Sequence, residues 1–420
     1  MKAVVFGGIG KVSLEDVPEP KLQKPSDAII RITSSAICGT DLHFVRGTAA
    51  GVKEGRILGH EAVGIVEEVG KSVRNLRKGD RVVVPSTVGC GSCVYCRAGY
   101  HSQCNVANPN GPDSGTVFFG GPEEAGGLDG LQAEYARIPF AGAVLVKLPE
   151  EISDDQAVLM SDILPTAYMA AVMAEVRPSD VVAVFGCGPV GLFAITCAQH
   201  LGAGRVFAID SVESRLEMAR THGAEVINFQ KENPIEALKE ATNGSGPDRT
   251  IDAVGVDAAT ATRGPAADKE AQKEFKQELK KIAEEGTPKG KAFQPGGAPS
   301  QALKWAIESV AKAGTVSVIG VYPAPVQDFP IETVMEKNLT LKAGNCNHRR
   351  YMPEMIELVR SGVVRPEQFL TQIEPITSAV DAYRAFDRHE AGWIKVKLDP
   401  AENTNARPSD DIGWLITNIS

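Results

Sequence analysis

Over the first 150 residues the apolar positions come in short alternating runs, among them DAIIRITSSAI, AVGIVEEVG and DRVVVPSTV, separated by turn residues such as Lys78-Gly79-Asp80. A period of two places successive side chains on opposite faces, so this region is expected to be a mostly antiparallel β domain. From about residue 160 the pattern changes. ILPTAYMAAVMAEV predicts a helix, VVAVF a short buried strand and GPVGLFAITCAQHLGA a second helix. RVFAID, SRLEMARTHGA and EVINF then predict strand, helix and strand. Strands alternating with helices at this spacing imply a parallel sheet with crossover helices. The stretch 257–300 breaks the rhythm with a charged helical half, DKEAQKEFKQELKKIAEEG, and a Pro/Gly-rich half, and is expected to be a solvated surface insertion. ALKWAIESVAKAG and TVSVIGVY resume the helix–strand alternation. Beyond about 345 come a helix around YMPEMIELVRSG and a strand at IKVKL. The tail, DPAENTNARPSDDIGWLITNIS, predicts no element, and no internal repeat is visible.

Composition narrows the class. At 420 residues the chain is too long for one ordinary core and suits two domains. With 43 % apolar and 23 % charged residues it is expected to fold as a soluble globular protein. A net charge of −9 without clustered Lys and Arg speaks against a nucleic-acid partner. No apolar run reaches the length of a membrane span, and charged and glycine residues interrupt the N-terminal MKAVVFGGIGKVSLEDV as a signal peptide. A cytoplasmic location is the expectation, and there eight cysteines read as metal ligands or buried thiols.

VVAVF runs directly into GCGPVG, so Gly186, Gly188, Pro189, Val190 and Gly191 form a glycine turn between a strand and a helix. Asp210 ends the next strand, nineteen residues past Gly191. Gly186 permits the tight turn, Gly188 lets backbone approach a pyrophosphate, and Gly191 lets helix and strand pack closely. The helix N-terminus offers free N–H groups to the phosphates. The Asp210 carboxylate can accept bonds from the adenosine ribose hydroxyls and would repel a 2′-phosphate, which favours NAD over NADP. Arg215, one turn into the following helix, is either a further ribose contact or a solvated arginine.

Cys90, Cys93, Cys96 and Cys104 give C-x2-C-x2-C-x7-C. Four thiolates can close a tetrahedron around Zn²⁺ with no open position, which makes such a site structural. An iron–sulfur cluster is the rival.

CGTDLH (Cys38–His43), GHE (Gly59–Glu61), the four-cysteine loop and the glycine turn, in this order, resemble the zinc-dependent medium-chain alcohol dehydrogenases over about residues 1–400, with 257–300 outside the resemblance. The resemblance implies an α/β protein with two parts. One is a GroES-like β-rich catalytic domain, residues 1–162 and 345–420. The other is a Rossmann doubly wound parallel-sheet NAD domain, residues 163–344, interrupted by the insertion. It also implies two zinc ions per chain, a structural one at the four cysteines and a catalytic one held by Cys38, His60 and a third ligand. The third position falls in LMSDILPTAY, where Asp162 is the available ligand; an aspartate there is similar to the formaldehyde dehydrogenase branch, including its glutathione-independent members. HRRYMPEMIELVRSGVV and FDRHEAGWIKVKL also resemble that branch.

By the same resemblance Thr40 contacts substrate oxygen, His43 is an outer proton relay, Glu61 can approach the zinc and Asp41 orients the histidine ligand. Thr166, Val254, Gly255 and Val321 lie at the nicotinamide, and Lys395 is a cation near the pyrophosphate. Gly39 departs from the many relatives that carry a pyrophosphate-binding cation there. The long loop 110–130 is a candidate to compensate, or a floppy surface loop. Cys187 and Cys197 are expected as small apolar residues, Cys346 as packing and His348 as a surface histidine. His101, His200, His222 and His389 are left without a role.

The implied activity is zinc- and NAD-dependent oxidoreduction of a small alcohol or aldehyde, with formaldehyde or its adduct favoured. Oxidation of polyols or other short-chain alcohols, and a non-catalytic NAD(H)-binding regulator, are the alternatives. Relatives form dimers or tetramers, and TVSVIGVY is the strand expected to pair across subunits.

Overall fold

The computed structural model describes residues 1–323 and 329–400, so the C-terminal tail beyond residue 400 lies outside the described residues. Six parallel strands lie side by side in the order Glu225–Asn228, Arg205–Asp210, Val181–Phe185, Arg249–Asp252, Thr315–Val318 and Thr340–Ala343. In chain order this is 3-2-1-4-5-6, the Rossmann arrangement. Its strand order reverses between Val181–Phe185 and Arg249–Asp252, so a ligand crevice opens beyond the carboxyl ends of those two strands. These strands are apolar because both of their faces are covered. On one side the nearly all-apolar helices Ile163–Met173 and Pro189–His200 pack against each other and on Val182 and Val184. On the other, Ala302, Leu303, Ala306 and Ile307 of the helix Gln301–Ser309 cover Ala183 and Phe185. Among the described residues no single helix is long and apolar enough to cross a membrane.

The second sheet is built around the long strand Ala28–Ile37. It pairs antiparallel with Ala62–Val69, with Tyr135–Ile138 and, from the far end of the chain, with Val396–Asp399. Arg81–Val84 and Val146–Lys147 extend it. Register shifts at Ile29/Ile30 and Ile32/Ser34 mark irregularities that bend this central strand. The α/β fold thus combines a β-rich unit with a doubly wound parallel one.

Two expectations are corrected here. The stretch 257–300 is not simply solvated. Its helix, Lys269–Ile282, is capped by the Asp268 carboxylate, but Phe275 and Glu278 are buried beneath it. Phe293 enters the apolar cluster of Phe6, Leu42, Phe44 and Tyr383, so the insertion crosses from the parallel sheet to the β-rich unit. The charge pattern hid this because two aromatic anchors, Phe275 and Phe293, among many lysines leave the average polar. The strand within TVSVIGVY, Thr315–Val318, is flanked on both sides by Arg249–Asp252 and Thr340–Ala343 and has no free edge. The outer strand on that side of the described sheet is Thr340–Ala343, with Leu341 exposed.

Candidate metal centres and dinucleotide cleft

The four-cysteine loop folds around its own sulfurs. One donor atom from each of Cys90, Cys93, Cys96 and Cys104 lies within 4.8 Å of all the others, and all four are free thiols. Cys93 Sγ and Cys104 Sγ are 3.8 Å apart. A tetrahedron with zinc–sulfur arms of about 2.3 Å has edges of about 3.8 Å, so a single ion fits and a wider multi-iron cluster does not. Backbone N–H groups of Cys93 and Cys96 donate to the Sγ of Cys90 and Cys93 at 3.3 and 3.5 Å. Burial pushes the Cys90 thiol up, but the Ser92 hydroxyl and the Ser92 and Cys93 N–H groups outweigh it and bring it down to about 6.

The second centre is assembled by topology. Cys38 follows the strand Ala28–Ile37 and starts the helix Gly39–Arg46. His60 and Glu61 precede the strand Ala62–Val69, which pairs with Ala28–Ile37 through Ser35 and Ala62. Asp162 stands at the start of the helix Ile163–Met173. Donor atoms of Cys38, His60, Glu61 and Asp162 all lie within 4.8 Å of one another. Asp162 Oδ2 is 3.4 Å from His60 Nε2 and 3.7 Å from Cys38 Sγ. His60 Nδ1 faces Asp41 Oδ1 at 3.4 Å, and Asp41 Oδ2 accepts from the Cys38 N–H at 3.0 Å. The buried Glu61 Oε1 has no hydrogen-bond partner. An orphaned carboxylate oxygen beside a thiol, an imidazole and a second carboxylate is costly without a cation, so this donor set fits a divalent metal. Burial pushes Asp162 up, but hydrogen bonds from His348 and His60 hold it well below the usual carboxylate range. Burial raises the Cys38 thiol against the pull of His60.

Two site readings are corrected. Lys395 lines the same cleft, but its ammonium is held by the protein itself rather than left free for a pyrophosphate. It is fully buried, and its ammonium donates to Glu61 Oε2 at 2.5 Å and to the Ile37 carbonyl at 3.0 Å. The cause is the register that sets Val396 opposite Ile37, which carries the preceding lysine under Cys38. Even beside it, burial holds Glu61 up at about 7. His348 is not at the surface. It is 3 % exposed, and its Nε2 lies 2.6 Å from Asp162 Oδ1.

The dinucleotide turn lies at the strand-order reversal. Gly186 has φ +90°, and a Cβ on Gly191 would sit 1.8 Å from the Gly186 carbonyl oxygen. A Cβ on Gly188 would meet nothing within 4 Å, the open cradle that a pyrophosphate needs. Pro189, at the first turn of the helix Pro189–His200, and Val190 line the cleft beside it. Asp210 accepts from the N–H groups of Cys187, Ser211 and Val212 at 2.7, 2.6 and 2.9 Å. Arg215 lines the same cleft, where burial lowers its guanidinium against the pull of Asp210. Gly255 and Val321 bridge each other, Val254 presses on Gly186, and Thr166 Oγ1 is 3.4 Å from Asp162 Oδ1. Cys187 and Cys197 are buried thiols, as expected of small apolar residues. The cleft is continuous from Asp210 past Gly188 to Cys38, His60 and Asp162.

Thr40 Oγ1 is 4.0 Å from Cys38 Sγ. His43 is buried, with Nδ1 2.8 Å from Asp257 Oδ2, the first residue of the insertion to face the cleft. Loop 110–130 is packed rather than floppy at Val117 and Phe119, and Phe118 stands edge-on to His60 with ring centroids 6.2 Å apart. Asp257, Phe118 and the buried state of His348 carried no signal in spacing or periodicity, because each owes its position to a contact between distant segments.

A model of the alcohol dehydrogenase GroES-like domain matches residues 24–150, and a zinc-binding dehydrogenase model matches residues 189–264. A zinc-type alcohol dehydrogenase-like protein of Bacillus subtilis (strain 168) is 39 % identical over 404 residues, 95 % of this chain and 100 % of the relative. The structure of an alcohol dehydrogenase from Thermus sp. ATN1 superposes with a TM-score of 0.78 at 36 % identity, covering 95 % of this chain and 99 % of the other. A glutathione-independent formaldehyde dehydrogenase of Pseudomonas aeruginosa (strain LESB58) is 39 % identical over 270 residues, 61 % of this chain and 66 % of the relative.

Proposed function

Because this chain belongs to the zinc-type medium-chain alcohol dehydrogenase family, we propose that it transfers hydride between a small alcohol or aldehyde and NAD, with formaldehyde or its adduct as the favoured substrate. The observation that carries this reading is the meeting of Cys38, His60 and Asp162 in the same cleft as the Gly186–Gly191 turn. We divide the chain accordingly into a catalytic unit, 1–162 with 345–420, and a dinucleotide unit, 163–344, carrying the insertion. The favoured substrate rests on the aspartate in the third ligand position and on the partial likeness to the Pseudomonas enzyme. NAD rather than NADP rests on the Asp210 carboxylate. Ser86, Thr87 and Asn345 line the same cleft and favour a second reading, oxidation of a hydroxylated short-chain alcohol.

Cys38, His60 and Asp162 would hold a catalytic zinc, which supplies Lewis acidity to the substrate oxygen when bound. The four cysteines would hold a structural one. Thr40 places its hydroxyl beside Cys38, where it can orient the substrate oxygen. An ionised Asp257 only accepts, so the His43 Nδ1 pointed at it carries the proton. That leaves Nε2 as the nitrogen that takes up the alcohol proton, and the carboxylate stabilises the imidazolium that results. Phe118 shields one side of the reacting region from water.

The test is product analysis by NMR. The purified protein is incubated with formaldehyde without added NAD, then with NAD, then with a panel of diols and linear alcohols. Formate appearing on addition of NAD, and its loss together with zinc in Cys38→Ser, are expected. Formate and methanol in equal amounts without added NAD would identify a cofactor cycling in place. Turnover of diols but not formaldehyde would establish the second reading, and full activity in Cys38→Ser would refute the mechanism.

A further inference from the structure

His348 is a buried ionisable group for which neither the glycine turn nor the three donor atoms give a use. It begins the helix His348–Arg360, whose sequence position is nearly two hundred residues from Asp162. Its ring is fixed at both nitrogens: Nε2 lies 2.6 Å from Asp162 Oδ1, and Nδ1 lies 3.0 Å from Thr87 Oγ1. Thr87 is itself held to the Cys346 carbonyl at 3.3 Å. An ionised carboxylate only accepts, so Nε2 carries the proton of the short bond whichever state Nδ1 is in. Thr166 Oγ1 approaches the same oxygen at 3.4 Å. The other oxygen, Oδ2, is the one that faces His60 Nε2 and Cys38 Sγ.

We propose that His348 is a positioning residue for the catalytic metal: it occupies Asp162 Oδ1, so that the aspartate offers Oδ2 alone to the ion held with Cys38 and His60. This rests on the reading of those three side chains as metal ligands. A carboxylate differs from a thiolate in having two equivalent donor atoms. Unrestrained, it can turn to chelate with both, and a fourth protein donor would then fill the place a substrate oxygen needs. Outer partners that orient ligands in this way are worth about 10–100-fold in metal affinity. Thr87 and the helix start make the orientation rigid, because the imidazole cannot rotate without losing both bonds.

The experiment is metal binding by the full-length protein, read independently of turnover. Zinc affinity is measured by chelator competition, with zinc per chain, for wild type, His348→Ala and His348→Gln. The catalytic site is then loaded with Co²⁺ and its visible spectrum recorded. His348→Ala is expected to weaken the catalytic site by about 10–100-fold, to leave the four-cysteine zinc in place, and to change the cobalt bands toward higher coordination. His348→Gln, which keeps an N–H donor, is expected to restore most of the affinity and the wild-type bands. A folded His348→Ala protein with wild-type affinity and an unchanged spectrum overturns the proposal, whatever happens to activity. If that variant does not fold, Thr87→Val removes the anchor on Nδ1 and is read by the same criterion. Loss of all dehydrogenase activity from wild type would defeat the functional reading without touching this result. Absence of any metal at the Cys38 site in wild type would defeat both.

Discussion

Replacing Asp257 with Asn removes one charge from a buried network that joins the insertion to the β-rich unit. The side chain is 5 % exposed. Its Oδ2 accepts from His43 Nδ1, Arg46 Nη1 and Thr48 Oγ1 at 2.8, 3.1 and 3.1 Å, and its Oδ1 from the Gly296 N–H at 3.1 Å. Arg46 also binds Asp387, which receives the Phe293 N–H at 2.7 Å. An asparagine amide has one acceptor oxygen, so whichever way it turns its NH₂ faces a donor. Arg46 keeps one of its two carboxylates. Breaking a buried ion pair by changing one partner costs about 3–5 kcal/mol. The Arg46–Asp387 contact survives, so the lower end applies, about 3 kcal/mol. At about 2 °C per kcal/mol for a large unit, the melting transition should fall by about 6 °C.

The sign of the pH dependence follows from the carboxyl itself. Burial pushes Asp257 up, but the charges of His43 and Arg46 outweigh it and hold the carboxyl well below its usual range. A depressed carboxyl contributes stability that is fully present above the unfolded value, near 4, and is lost as pH falls toward the folded one. Scanning calorimetry of wild type and Asp257→Asn should therefore show a gap that is present at about pH 5 and narrows below about pH 4. A shift under about 1 °C at neutral pH, or a gap that widens as pH falls below about 4, would refute the reasoning.

The glycine turn separates folding from binding. Gly191→Ala drives a Cβ to 1.8 Å from the Gly186 carbonyl oxygen and should cost about 1–3 kcal/mol or more in melting experiments. Gly188→Ala meets no protein atom within 4 Å, so it should melt as wild type yet weaken NADH binding about tenfold or more in a fluorescence titration. Asp210→Ser removes the carboxylate that repels a 2′-phosphate, and the ratio of kcat/KM for NADP over NAD should rise by about tenfold or more in steady-state assays. Lys395→Met leaves the buried Glu61 carboxylate uncompensated, and denaturant titration should show a loss of about 3–5 kcal/mol, much of it recovered in Lys395→Met/Glu61→Gln.

Local pattern and motif spacing were sufficient wherever the chemistry is built from neighbours in the chain. The glycine turn needs Gly186, Gly188 and Gly191 within six residues, and the four cysteines span fifteen, so their order alone announces a phosphate cradle and a four-thiolate metal site, while the distances between the sulfurs decide for a single ion over a cluster. Alternating strands and helices from about 160 onward likewise announce the parallel sheet, because each crossover must bury its own apolar stripe. What the sequence could not decide is which distant groups share a buried space. The return of Val396–Asp399 to the side of Ala28–Ile37 turns Lys395 from an expected phosphate contact into the counter-charge of Glu61. The docking of the helix His348–Arg360 turns an expected surface histidine into the partner of Asp162. Phe293, the second of two aromatics in a charged stretch, draws the insertion across to the β-rich unit and brings Asp257 onto His43 and Arg46. Periodicity reports which face of an element is buried, not against what. Desolvated charges must find partners, and only the packed chain determines who those partners are.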